Sequence, residues 1–319
     1  MTPTSAARPW HRVVNGALLA GVDQGAADPP AIVCLHGLAS THLWWQPVTD
    51  RLAARYRVIR FDHRGHGRSG PADGQHTVEG LAADTVAVLD ALGLSRVLLA
   101  GHSLGAAVAL TAAATRPDLA AAVSCVDGGV YDPRLMFGST WPQSRRAMLS
   151  SRRGRTTSQV LRTWLEQAGM PASLLPIVAA NYVSDRRDAL RLRLDPTHEA
   201  RLARSLWDLD PLPLLAAVAV PVQVIAAHHG DDHHDRPRRE SIRRARTVLG
   251  SKLQARWLPG GHHLPLQRPG GVAQALDELA THTSRAPSTN GAVVAAGDVH
   301  GRYRTIGGDS TVVDIPYQA

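Results

Sequence analysis

The stretch Val97-Leu-Leu-Ala-Gly-His-Ser-Leu-Gly-Ala106 constrains this chain more than any other. Branched apolar residues from Val97 to Ala100 read as a strand, and the alanine-rich pattern from Leu104 reads as a helix. Between them, Gly101-His-Ser-Leu-Gly105 must turn the chain sharply. Such an elbow lifts the serine hydroxyl out of the sheet and exposes it beside a helix N-terminus, where positive partial charge collects. Glycine suits positions 101 and 105 because strand and helix pass too close there for side chains. The pentapeptide alone recurs by chance, so its weight depends on the residues around it.

Strand-like runs recur along the chain. Residues 13–20 read as a hairpin with Asn15-Gly16 as its tight turn. Runs dominated by apolar residues follow at 31–35, 58–61, 97–100, 121–126, 222–227 and 253–258. Runs without polar alternation suit parallel strands covered on both faces. Helical patterns separate them at 44–54, 78–92, 104–115 and 271–281. This alternation predicts an α/β fold with a doubly wound, mostly parallel sheet of about eight strands. It breaks over about 130–213, an arginine-rich block without strand patterns, in which 156–167 and 196–206 read as amphipathic helices. Inserted between two strands, that block is expected to form a helical cap over the strand ends. The domain is placed at 11–282. Residues 283–319, rich in Ser, Thr, Gly and Pro at their start, read as a linker and C-terminal tail. Within the tail, 293–295 and 311–315 read as short strands or docked extended segments.

Composition narrows the function classes. With 319 residues and 44% hydrophobic content the chain can bury a sizeable core. The formal charge of +8 is carried almost wholly by arginine, Lys252 being the one lysine. These arginines are scattered and few aromatics lie beside them, so solvated helix faces are preferred over a nucleic-acid surface. Cys34 and Cys125 fall in buried runs and read as small core residues, not a disulfide. No basic-then-apolar leader is seen, and no apolar run reaches the ~18 residues that span a bilayer. A soluble cytoplasmic protein without a membrane partner is expected.

A serine hydroxyl is a poor nucleophile at neutral pH. It needs a base within hydrogen-bond reach, and the base needs a third group to fix its tautomer. Leu258-Pro-Gly-Gly-His-His-Leu-Pro-Leu-Gln-Arg-Pro269 places histidines in a glycine-rich loop between a strand and the last helix. Val224-Ile-Ala-Ala-His-His-Gly-Asp-Asp232 places acids just after the preceding strand.

With these residues in order, the chain resembles members of the α/β-hydrolase superfamily, of the small capped kind that includes many esterases and lactone hydrolases. His36-Gly37-Leu38 resembles the family's HG loop, and Asp62-His-Arg-Gly-His-Gly-Arg-Ser69 its D-x-R-G-x-G-x-S loop. Gly101-His-Ser-Leu-Gly105 resembles the elbow, and Gly261-His262 followed seven residues later by Pro269 resembles the histidine loop. The resemblance implies Ser103 as nucleophile. It implies the backbone N–H groups of Leu38 and Leu104 as an oxyanion hole, leaving the leucine side chains free to line an acyl pocket. Gly37, His102, the variable position of the elbow, and Trp44 fall at the substrate pocket. The base is His262 or His263; spacing to Pro269 favours His262, while counting from Pro259-Gly260 allows His263. The family's acid, counted from Pro221, falls at Gly230, so this loop reads as one or two residues longer. Asp231 is preferred and Asp232 is the alternative, with Asp235 farther off. Asp127 serves only if the acid has migrated to the preceding strand, and reads better as a turn cap. Asp62, His63 and His66 read as loop stabilisers.

The implied chemistry is hydrolysis of a small or medium carboxylic ester, thioester or lactone through an acyl-enzyme, with a small-molecule acyl substrate as partner and no cofactor or metal. The alternatives are carbon–carbon bond hydrolysis, acyl transfer or perhydrolysis on the same residues, or a non-catalytic ligand-binding protein. A serine elbow disfavours the dehalogenase and epoxide-hydrolase chemistries, which look to an aspartate nucleophile. Two rival signals stand apart. His228-His-Gly-Asp-Asp-His-His-Asp235 has metal-ligand residue types, but adjacent histidines in a loop lack the spacing that presents two ligands on one helical face. Gly297-Asp-Val-His-Gly301 resembles the first metal motif of calcineurin-like phosphoesterases, yet too little chain follows it for the further ligands.

Overall fold

In the computed structural model, residues 7–25, 30–70, 75–149, 156–184, 189–285 and 313–314 are described. Strands β1 (Arg8–Val14) and β2 (Ala17–Gln24) form the expected hairpin. Asn15 and Gly16 both take positive φ, +47° and +74°, which matches the right-handed strand twist. Five further long strands are the apolar runs seen in the sequence: β3 (Ala31–Leu35), β4 (Arg57–Phe61), β5 (Val97–His102), β6 (Ala120–Val126) and, after an insertion, β9 (Val222–His228). β10 (Leu253–Pro259) forms one edge. At the other edge, β11 (Val313–Asp314) pairs antiparallel with β1. The order is β10-β9-β6-β5-β3-β4-β2-β1-β11, parallel from β10 to β4 and antiparallel beyond.

Alternate strand residues feed two layers. Ala31, Val33 and Leu35 pack with residues of α2 (Val78–Ala91), α3 (Leu104–Thr115) and α10 (Asp232–Leu249). Ile32 and Cys34 pack with α1 (Gln46–Leu52) and α12 (Pro269–Arg285) on the opposite face. Both faces of the sheet are therefore covered, which is why inner strands such as β3 and β5 carry no polar alternation, whereas edge strand β10 does. Cys34 and Cys125 are buried free thiols.

The block between β6 and β9 is mostly helical: α4 (Pro133–Phe137), α5 (Trp141–Met148), α6 (Ser158–Gln167), α7 (Leu175–Ala179), α8 (Pro196–Asp208) and α9 (Pro211–Ala217). It also holds a short hairpin, β7 (Tyr182–Ser184) with β8 (Leu190–Leu192), which the expectation of a strand-free block missed. Three-residue strands are too short to show a period. Leu161, Leu165, Met170, Val178 and Tyr182 form the insertion's own apolar cluster, closed by Trp44 and by Leu266 of α11 (Leu264–Gln267). The insertion thus packs on the rim where the parallel strands end. The motif at 297–301, the segment 293–295 and most of the tail lie outside the described residues.

Candidate active site

Because β5, β6 and β9 are parallel and in register, their C-terminal ends lie side by side: His102 pairs with Val126, and Val126 with Ile225. Ser103 stands at the first of these ends. Its backbone sits at φ +55°, ψ −120°, a conformation that costs a non-glycine residue of order 1–3 kcal/mol. A Cβ at Gly101 would lie 2.1 Å from the Gly105 carbonyl oxygen, and one at Gly105 would lie 2.2 Å from that of Leu35. The close passage expected at the elbow is present, and the hydroxyl is held at its apex.

His262 meets that hydroxyl. Its Nε2 is 3.0 Å from Ser103 Oγ, and its Nδ1 is 2.7 Å from Asp127 Oδ2. A carboxylate only accepts, so Nδ1–H donates to Asp127 and Nε2 is left to accept the serine proton. His263 points elsewhere. Its ring lies between the edges of Trp44, 5.5 Å away, and Trp164, 5.1 Å away.

The acid corrects the sequence expectation. Asp231 is the N-cap of α10, accepting from His234 N at 2.9 Å and pairing with His234 Nδ1. Asp232 is exposed on the first turn and pairs with Arg239. Asp235 is buried but faces His228 Nδ1 at 2.5 Å and His229 N at 2.9 Å. The stretch read as a loop begins an 18-residue helix, so its acids serve that helix. Asp127, at the end of β6, reaches His262 instead. It is 2% exposed and takes φ +43°. Its Oδ1 accepts from Ala227 N (3.1 Å), Tyr131 Oη (3.1 Å) and Arg238 Nε (2.8 Å), and its Oδ2 accepts from Arg238 Nη2 (2.8 Å) as well as from His262. Burial alone would raise its pKa, but hydrogen bonds from Arg238 and His262, with their charge, hold it well below the usual carboxylate range.

The remaining expected residues divide. A Cβ on Gly37 would lie 3.1 Å from Ser103 Cβ, so the HG loop lies against Ser103. Leu104 opens α3, so its N–H has no acceptor within the helix. Its side chain, however, is fully buried in the core and does not line a pocket; Leu38 is partly buried against the same core. His102 is likewise 3% exposed, and its Nε2 donates to the His262 carbonyl oxygen at 2.7 Å, a brace for the histidine loop. Burial, with His262 nearby, lowers its pKa to about 3. Trp44 is buried at the junction with the insertion.

The HG loop is itself stiffened by neutral imidazoles. His36 Nδ1 donates to Gly37 O at 2.8 Å and its Nε2 accepts from His63 N at 3.0 Å. His66 Nε2 accepts from Ala39 N at 3.3 Å. Burial lowers His36 well below its ordinary value, His63 to about 3 and His66 to about 4. Asp62 accepts from His42 N (2.7 Å) and Arg68 N (2.9 Å), which gives it the loop-stabilising place expected. Among the described residues, no group of three or more His, Cys, Asp or Glu is arranged to hold a metal ion.

Sequence reasoning set Asp127 aside and missed Arg238 and Tyr131. The available signal was Asp127-Gly-Gly129 closing a buried strand, where glycines permit a sharp exit.

A family model described as the alpha/beta hydrolase family matches residues 32–275. A protein of Klebsiella pneumoniae (strain 342), provisionally named carbamate hydrolase RutD, is 28% identical over 207 residues, covering 62% of this chain and 73% of that protein. A 2-(acetamidomethylene)succinate hydrolase of Mesorhizobium japonicum is 34% identical over 102 residues, or 32% of this chain and 37% of the relative. The similarity to the RutD proteins of Caulobacter and Azorhizobium caulinodans spans only 35% and 38% of their lengths. Among solved structures, an E-2-(acetamidomethylene)succinate hydrolase superposes with a TM-score of 0.72 at 21% identity, covering 86% of this chain and 100% of that one. The thioesterase domain from the curacin biosynthetic pathway gives 0.67 at 20% identity, covering 85% and 99%. These superpositions describe a shared fold.

Proposed function

Since this chain belongs to the alpha/beta hydrolase family, we propose that it hydrolyses a small or medium carboxylic ester, thioester or lactone through an acyl-enzyme on Ser103. The observation that carries this reading is the unbroken relay Ser103 Oγ–His262–Asp127, at 3.0 Å and 2.7 Å. His262 Nε2 takes the serine proton as Oγ attacks the acyl carbon. The tetrahedral oxyanion is met by the N–H groups of Leu104 and Leu38, whose positions are fixed by the elbow and the HG loop. His262 then protonates the leaving group, and afterwards activates the water that releases the acid. Asp127 holds the ring tautomer and offsets the imidazolium. No step calls on a cofactor or metal. The helical insertion, seated on Trp44 and Leu266, acts as the cap that shapes the acyl pocket.

The names of the relatives favour a second reading, in which the same relay cleaves the C–N acyl bond of a carbamate or amide. A panel of p-nitrophenyl esters of graded length beside matched carbamates and anilides separates the two. In either case Ser103→Ala is expected to lower turnover about 10³-fold or more with the fold unchanged. A fluorophosphonate should label wild-type Ser103 and not the variant. Wild-type turnover by Ser103→Ala would refute the proposal.

A further inference from the structure

We propose that Arg238 is a positioning residue for this relay, clamping Asp127 and setting how strongly that carboxylate favours a charged His262. The inference rests on the Ser103–His262–Asp127 reading above. A carboxylate that orients a histidine base has lone pairs to spare for other donors. Here the spare lone pairs meet a permanent cation. Arg238 Nε and Nη2 grip Oδ1 and Oδ2, each at 2.8 Å, in the two-pronged geometry that a guanidinium matches and an ammonium does not. The pair is desolvated, with side-chain exposures of 6% and 0%. Arg238 is in turn fixed by Nη1 donating to His234 O at 2.8 Å and by the Tyr131 ring, 5.7 Å from its guanidinium carbon.

Two consequences follow. The fork fixes the carboxylate plane, so Oδ2 stays aimed at His262 Nδ1. The cation also shares that oxygen with His262, so an imidazolium beside the pair gains less than it would beside a lone carboxylate. The other titratable groups facing this cluster are Tyr131 after β6, His102 on β5, His229 and Asp235 on the α10 side, and His263 beside His262. None of them places a second cation on Asp127.

The test is the pH profile of kcat/KM on an activated ester for the full chain and its Arg238 variants. Arg238→Met should lower kcat about 10- to 100-fold through lost aim. It should also move the acid limb of the profile to higher pH by about one unit. Arg238→Lys keeps the charge without the fork, so kcat falls while the limb stays in place. Should the Met variant fail to fold, Arg238→Gln serves for the same measurement. An unmoved acid limb in the Met or Gln variant, or a displaced one in the Lys variant, overturns the proposal and leaves Arg238 a structural residue. Fluorophosphonate labelling of the wild type keeps the two readings apart: no labelling sinks the relay itself, whereas labelling with unmoved limbs sinks only the role of Arg238.

Discussion

The loops after β6 and after β9 make an instructive pair. Each closes a buried parallel strand, and each presents acids within a few residues of the sheet rim. After β6, Asp127 is buried and receives donors from four different segments of the chain. After β9, Asp231 and Asp232 are exposed, and their partners His234 and Arg239 belong to the same helix. A carboxylate whose partners are local caps and solubilises. One whose partners converge from distant segments is held in a fixed place, which a base needs. Proximity in sequence to the usual acid position is a weaker guide than where the donors come from.

The sharpest break of this comparison is Asp127→Asn. An amide accepts through one atom only, so the ring tautomer of His262 is no longer imposed, and kcat is expected to fall about 10³- to 10⁴-fold. Asp231→Asn and Asp235→Asn should stay within a few-fold of wild type. Steady-state kinetics on one activated ester measures all three. A comparable loss in Asp231→Asn would return the acid to the β9 loop.

The two regions also differ in their histidines. Beneath the HG loop and elbow, His63, His66 and His102 are 1%, 1% and 3% exposed, whereas the side chains of His228 and His234 are each 52% exposed. The buried rings have pKa values of about 3, 4 and 3, below the value of about 6.5 that an unfolded chain gives. Below pH 6.5 the unfolded chain therefore binds more protons than the folded one, and stability falls with falling pH. For three such rings the loss is about 3 kcal/mol between pH 6.5 and 5.5, readable by urea unfolding. His66→Gln should flatten that slope, and exposed His233→Gln should leave it unchanged. Equal slopes in all three proteins would remove this distinction between the regions.

How much of this the sequence showed depends on how local each signal is. The hairpin, the buried strands, the elbow and the histidine loop were legible because glycine spacing and apolar runs act within a few residues. Gly101 and Gly105 fail sterically against backbone atoms of the same elbow and its neighbour strand, so their place could be read directly. The acid has no such grammar. Asp127 and Asp231 both follow an apolar strand and both adjoin glycine. What separates them is a guanidinium 111 residues away from Asp127 and an imidazole 135 residues away. Helix α10 was hidden for a different reason. Its first turns hold four consecutive His/Asp residues and Pro237, which argue for a loop, and its buried face, though at helical spacing, is half polar: Asp235, Arg238 and Ser241 beside Ile242, Ala245 and Leu249. A helix starting at Asp232 makes Asp231 its cap and leaves Asp127 as the carboxylate that faces His262.

The smallest expected effect makes the last discriminating measurement. Asp231→Ala removes the side-chain acceptor for His234 N and leaves the first turn of α10 with an unpaired donor. Because Asp231 is exposed, water replaces much of what is lost, and Tm should fall by about 2 °C. The same turn carries the His234 carbonyl that holds Arg238 Nη1, so fraying there reaches Asp127 at one remove. If Arg238 is anchored chiefly by its fork to Asp127, the acid limb of kcat/KM in Asp231→Ala stays where it is in the wild type. If the limb moves with the cap, the two loops are one mechanical unit and the contrast between them is a matter of degree. A thermal melt and a pH profile on the same preparation decide between these outcomes.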